Sequence, residues 1–269
     1  MTDHHTSANQ LESQIAASAF WRSVGWQIDR IGNDFVRVLL PYNEGNTTAA
    51  TALHGGAIAA TLDIAGCLAT GTLDNGGVRT LACDVSYVAG ALGEEIYGEG
   101  EVLRRGKEIV YCSVRAVNAK GKLLAFGNHI SHLSVSASAS GVATTPMQLT
   151  ATVRQVDGPA APPASDQETV TANVALLRKM DKTMPYMAQL GWQFIDGAFG
   201  QVEFFLPADR NSLGAGNGLA GGALLSAVDH AGSLAAWMTR RLGDRSLFGS
   251  TVNTKLQTFK GNIDRNVRV

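Results

Sequence analysis

The sequence predicts an α+β fold laid down twice in one chain, each copy an antiparallel sheet wrapped around a central helix. Three observations predict it. The chain repeats itself 166 residues on: Gly25-Trp26-Gln27 returns as Gly191-Trp192-Gln193, Pro41 as Pro207, Asp63 as Asp229, Gly66 as Gly232, Arg79 as Arg245 and Leu81 as Leu247. A segment in each copy, 54–73 and 220–241, is apolar on almost every side, which marks a helix buried all round. Four strand-like runs follow the first of these helices, divided by short turns. A period of 166 is far too long for a solenoid or propeller, so the repeat is a domain duplication.

The elements follow in order. Residues 10–24 form a helical lead-in, and a strand pattern from Gly25 to Pro41 is carried by Phe35, Val36, Val38 and Leu40. Residues 42–52 are a polar loop, and Asn75-Gly76-Gly77 ends the helix that starts near His54. The runs near 78–90, 94–105, 108–118 and 122–135 are spaced for meander pairing of antiparallel strands. The first domain therefore covers 10–135, a linker rich in Ala, Ser, Thr, Pro and Gly covers 136–169, and the second domain covers 170–269. In the second copy a strand is expected at 200–206 and another at 245–259. Ile263, Val267 and Val269 then fit Ile96, Gly100 and Val102 with one residue inserted, and the runs at 108–118 and 122–135 have no counterpart. A reading frame that stops short is the first expectation; strands supplied by another chain, or a degenerate copy, stay open.

Composition narrows the function. Hydrophobic residues are 45% and charged residues 17%, suited to a packed core. The net charge of −1 points to neither nucleic acid nor an anionic membrane surface as partner. Cys67, Cys83 and Cys112 have no metal-ligand spacing, so no metal is expected, and all three read as buried thiols of a reducing compartment. With no secretory leader in the first ten residues and no apolar run of spanning length, a cytoplasmic location is expected.

The chemistry is expected at the buried helices. Gly55-Gly56 and Gly221-Gly222 open them, where free N–H groups and the positive dipole end favour a developing oxyanion. Asp63 and Asp229 are carboxylates in apolar helices and need partners or a function. Each lies eight residues beyond its own glycine, about 12 Å along the axis, too far to serve it. If the two helices run antiparallel, each Asp meets the other copy's glycine pair, so Gly55 pairs with Asp229 and Gly221 with Asp63. No G-x-S-x-G elbow offers a serine nucleophile. His230 reads as a packing or solvent-edge residue, and His129 and His132 as strand or surface residues without catalytic company.

Leu53-His54-Gly55-Gly56-x5-Leu62-Asp63-x-Ala65 resembles the signature of the PaaI-like hotdog acyl-CoA thioesterases. Asp84-Val85-Ser86-Tyr87, Gly93-Glu94-Glu95-Ile96, Arg104-Arg105-Gly106-Lys107 and Gly121-Lys122-Leu123-Leu124-Ala125 fit the same pattern. The resemblance covers residues 20–135 and, in part, 186–269. It implies a tandem double-hotdog fold with a truncated second copy, and homo-oligomers of such chains. It implies hydrolysis of an acyl-CoA to a carboxylate and free coenzyme A, with no cofactor beyond that substrate. The glycine N–H polarises the carbonyl, the Asp acts as general base or nucleophile, and a hydroxyl at the start of the next strand assists: Thr80 in copy one, Ser246 in copy two. The pattern's Asn, six residues before the His, is Thr48 here with Asn46 nearby, and Gly214 in copy two. His54 becomes Ala220. The site of His54, Gly55, Gly56, Asp229 and Ser246 is therefore expected to outrank that of Gly221, Gly222, Asp63 and Thr80. Arg104, Arg105 and Lys107 are candidate anchors for the coenzyme A phosphates.

Overall fold

The computed structural model of the chain describes residues 8–48, 51–73, 77–134, 164–180, 183–209, 211–215, 218–239, 250–258 and 267–269. The lead-in is two helices, α1 (Ala8–Ala16) and α2 (Ala19–Val24), because Ser18 accepts the Trp21 N–H and starts a new helix. The strand pattern before Pro41 is a hairpin of β1 (Gln27–Gly32) and β2 (Phe35–Leu40), turning at Asn33-Asp34 with Asp34 left-handed at φ 59°. The central helix α3 (Gly55–Gly71) follows, then β3 (Gly77–Tyr87), β4 (Ile96–Arg105), β5 (Ile109–Asn118) and β6 (Leu123–Ser134). The second unit has α4 (Ala164–Met180), α5 (Pro185–Gln189), β7 (Gln193–Ala198), β8 (Gln201–Leu206), α6 (Gly221–Trp237), β9 (Asn253–Gln257) and β10 (Val267–Arg268). Helix α4 starts inside the stretch read as linker; residues 136–163 lie outside the described ones.

All strand pairs are antiparallel, and the large sheet runs β1-β2-β4-β5-β6-β3-β9. The simple meander is corrected: β4, β5 and β6 form one, but β3 pairs with β6, not β4. The chain leaves β3 by way of 88–95 to reach β4, three places along the sheet, and the strands from β2 to β6 all contact α3. Alternation builds the inner face. Val110, Cys112, Val114 and Ala116 of β5 are buried while Tyr111 and Arg115 face outward. Gly100 of β4 lies so close to the Ala65 carbonyl that no side chain fits between them, which lets the strand rest on the helix backbone.

Strand β9 continues the sheet beyond β3, with Asp84 opposite Lys255. This register shows where the ungapped repeat fails. Leu40 sits opposite Ile96 and Leu206 opposite Val267, so beyond α6 matching positions are 171 apart, not 166. Val267 therefore takes the place matched to Ile96, while Arg245, Leu247 and Ile263 lie outside the described residues. Counterparts of β5 and β6 are absent among the described residues: β9 and β10 lie in different sheets, where β4 and β3 are joined through β5 and β6. The helices record the difference. Leu62 is fully buried, whereas its counterpart Val228 is 37% exposed.

Trp26 and Trp192 are both core residues, as expected. Trp26 donates its indole N–H to Thr61 at 2.9 Å. The counterpart of Thr61 is Ala227, and the buried Trp192 N–H has no acceptor. Restoring a hydroxyl with Ala227→Ser is expected to stabilise the fold by about 1 kcal/mol. A rise in the urea midpoint at unchanged m-value is the readout; a lower midpoint contradicts the assignment.

Candidate active site between the two central helices

Helices α3 and α6 pack so that each N-terminus meets the other's Asp. A methyl group placed on Gly55 would lie 2.8 Å from Asp229 Oδ2, and one on Gly221 would lie 3.0 Å from Asp63 Oδ2. Both crossed pairings expected from antiparallel helices are therefore present. The carboxylates share a second feature. Oδ1 is held by a hydroxyl, from Thr80 at 2.8 Å in Asp63 and from Thr254 at 3.2 Å in Asp229. Oδ2 is left facing the partner glycine. Both groups are deeply buried, at 2% and 5% exposure.

The two glycines of each pair have different surroundings. Gly55 N–H is the first of its helix and has no intrahelical acceptor. Gly56 N–H is already bonded, donating to His54 Nδ1 at 2.9 Å, and its Cα faces the Ser226 backbone where the helices cross. Gly222 likewise packs against Ala60 and Phe20. The second glycines thus allow close crossing, and only the first ones face a carboxylate.

His54 caps α3, and its Nε2 lies 3.3 Å from His230 Nδ1. Because Nδ1 accepts from Gly56, a neutral His54 carries its proton on Nε2 and donates it to His230. His230 is not an edge residue: it is buried against the rings of Trp192 and Phe204. Burial pulls the His54 pKa below its usual 6.5, opposed by Asp229, and burial followed by His54 pulls His230 well below 6.5. Groups neutral in the fold but protonated when unfolded destabilise it as pH falls below the unfolded value of 6.5. Thermal stability is therefore expected to drop from pH 6.5 towards 5, and His230→Phe is expected to flatten that limb; an unchanged slope contradicts the neutral pair. Ala220 offers no side-chain cap to α6.

Three residues near the carboxylates were not expected. Tyr87, at the end of β3, donates its hydroxyl to the Gly55 carbonyl at 3.0 Å, and burial and then Asp229 push its pKa upward. Thr254 holds the place beside Asp229 for which Ser246 was expected; Ser246 lies outside the described residues. The positional counterpart of Thr80 is Thr251, which bonds Ser233 at 2.8 Å as Thr80 meets Cys67 at 3.3 Å. His129 is neither exposed nor without company: it is fully buried, its Nε2 is 3.2 Å from Asp63 Oδ1, and Ser131 meets its Nδ1 at 3.1 Å. Burial opposes charge on this ring, but Cys67 and the Asp63 hydrogen bond outweigh it and hold the pKa well above 6.5. Cys67 is only partly buried and faces polar atoms, so it is not the buried thiol expected, whereas Cys83 and Cys112 are buried.

The expected binding residues are placed elsewhere. Asn46 is fully buried, gives its amide to the Val24 and Pro41 carbonyls, and accepts the His54 N–H on its own carbonyl, so it anchors the loop from behind. Thr48 bonds the Ala52 carbonyl within that loop. Arg104, Arg105 and Lys107 are exposed at the β4–β5 turn, where Arg105 reaches the Leu73 carbonyl beyond α3. Helix rise puts that carbonyl about 27 Å from Gly55 and about 15 Å from Asp63. No helix among the described residues is long and apolar enough to cross a membrane.

Residues 51–125 match the thioesterase superfamily model, the segment that carries Gly55, Asp63 and Thr80. Among solved structures, the PaaI protein of the E. coli phenylacetic acid degradation operon is 18% identical, with 48% of this chain and 96% of that one covered at a TM-score of 0.43. A Haemophilus influenzae thioesterase is 17% identical, covering 52% and 98% at 0.47. Zebra fish thioesterase superfamily member 2 is 23% identical, covering 47% and 94% at 0.43. No curated protein matches the chain.

Proposed function

We propose, from the premise that residues 51–125 are a thioesterase-superfamily segment, that the chain hydrolyses acyl-CoA thioesters to a carboxylate and free coenzyme A. One observation carries the reading: Asp229 Oδ2 faces Gly55 at the open N-terminus of α3. A thioester carbonyl oxygen directed at the Gly55 N–H gains a hydrogen bond and the helix dipole as its charge grows. Asp229 Oδ2 then takes a proton from water as the water oxygen bonds to the carbonyl carbon. Collapse of the tetrahedral adduct breaks the C–S bond, and the thiolate leaves with that proton. Alternatively Oδ2 bonds to the carbon itself, coenzyme A departs, and water opens the mixed anhydride. Thioesters lack strong resonance stabilisation, so one buried carboxylate and one oriented N–H form a sufficient set. Thr254 fixes Oδ1 in either route, and His54 holds the loop that presents Gly55.

The Gly55/Asp229 site is the better one on this reading, because α6 has no His cap and Asp63 is gripped by both Thr80 and His129. Thiol release from acyl-CoAs of graded chain length tests the function. Turnover with at least one of them is expected; tight binding of all without thiol release makes the chain an acyl-CoA-binding protein instead.

A further inference from the structure

We propose that Asp63, Cys67, His129 and Thr80 form a binding site for one divalent cation of the zinc class. The four residues come from three elements. Asp63 and Cys67 lie one helical turn apart on α3, Thr80 is on β3 and His129 on β6. The carboxylate, thiol and imidazole donor atoms all fall within 4.8 Å of one another. Four separations are short: Asp63 Oδ1 to His129 Nε2 3.2 Å, His129 Nε2 to Cys67 Sγ 3.6 Å, Cys67 Sγ to Thr80 Oγ1 3.3 Å, and Thr80 Oγ1 to Asp63 Oδ1 2.8 Å. The diagonal from His129 Nε2 to Thr80 Oγ1 is 3.3 Å. Five of the six separations among the four donors are thus 3.6 Å or less, and the sixth, between Asp63 and Cys67, is within 4.8 Å, so the set surrounds a common centre. A centre equidistant from the four lies about 2.0–2.4 Å from each, the range of zinc bonds to oxygen, nitrogen and sulfur.

The donors suit that ion. A carboxylate, a thiolate and a neutral imidazole carry two negative charges against the cation's two positive ones, and the hydroxyl completes the shell. Uptake releases the Cys67 proton, and any proton on His129 Nε2, to solvent. His129 is oriented from behind by Ser131, which Thr70 supports at 3.1 Å, the outer-shell arrangement that aims a metal-binding imidazole. Asp63 has His129 as its ion-pair partner and meets no Lys or Arg among the described residues. The second unit supplies a comparison. Asp229 is retained, but Ser233 stands at the position of Cys67, and no strand among the described residues carries a counterpart of His129. The cation site thus belongs to one copy only. A bound ion ties up Asp63 and withdraws the Gly221 site from chemistry, leaving Asp229.

Metal content, not activity, is the test, so the site stands or falls apart from the hydrolase reading. The full chain is dialysed against zinc, then against metal-free buffer, and assayed by mass spectrometry; a cobalt-loaded sample is examined for thiolate-to-cobalt absorption. About one ion per chain is expected, with the cobalt band lost in Cys67→Ser and uptake lost in His129→Ala. Ser131→Ala is expected to weaken binding by about 10- to 100-fold. Ser233→Ala is expected to bind as the parent does. If His129→Ala does not fold, Cys67→Ser decides. A parent chain that stays metal-free after loading, or full uptake retained by Cys67→Ser, overturns the site.

Discussion

Gly66→Ala and Gly232→Ala, the same change at matched positions of the repeat, are expected to shift stability in opposite directions. On α3 a methyl group at Gly66 runs into the ring of His129, which cannot retreat because Ser131 and Asp63 hold both its nitrogens. Overpacking of this kind typically costs about 1–3 kcal/mol. The upper end is expected here, since moving the ring also breaks two buried hydrogen bonds. On α6 the same methyl group meets nothing within 4 Å. Alanine in a helix interior is favoured over glycine by about 0.5–1 kcal/mol, so Gly232→Ala gains that amount. Denaturant midpoints of the two variants measure the contrast directly. Destabilisation of both by the same amount would mean that α6 is covered as fully as α3.

This contrast also marks how far the fold could be read from sequence. The buried helices and the strand runs were legible because each rests on local periodicity, and the sequence repeat because it rests on identical residues. The crossed pairing of Gly55 with Asp229 and Gly221 with Asp63 was legible for a different reason. A fixed rise per residue rules out pairing within one copy and leaves the antiparallel partner. What escaped was long-range or irregular. The β1–β2 hairpin turns on Asn33 and a left-handed Asp34, and no glycine-bearing two-residue turn announces it. The order of β3 in the sheet depends on how strands close around α3, which spacing alone does not encode. The five-residue shift seen at β10 was hidden because Arg245 and Leu247 match Arg79 and Leu81 without a gap, and it concealed Thr251 and Thr254. His129 carries no motif; it becomes visible only when β6 is laid over α3. Tyr87 stood inside a recognised stretch, yet its contact with Gly55 required the strand's placement.

The second large effect concerns the two carboxylates, and it tests the central claim most directly. Asp229→Asn keeps size and the Thr254 contact but removes the charge and basicity of Oδ2. Removing a general base costs about 10²- to 10⁴-fold in rate, and the loss is expected in kcat, because Asp229 acts on water or on the carbonyl carbon rather than on the coenzyme A portion. Asp63→Asn is expected to lower turnover by no more than about threefold, well below the effect of losing a general base. The measurement is thiol release from a preferred acyl-CoA by the two variants side by side, with circular dichroism confirming that each is folded. Collapse of kcat in Asp229→Asn with near-parental turnover in Asp63→Asn is the predicted result. Near-parental turnover in Asp229→Asn with collapse in Asp63→Asn would contradict it and place the chemistry at Gly221.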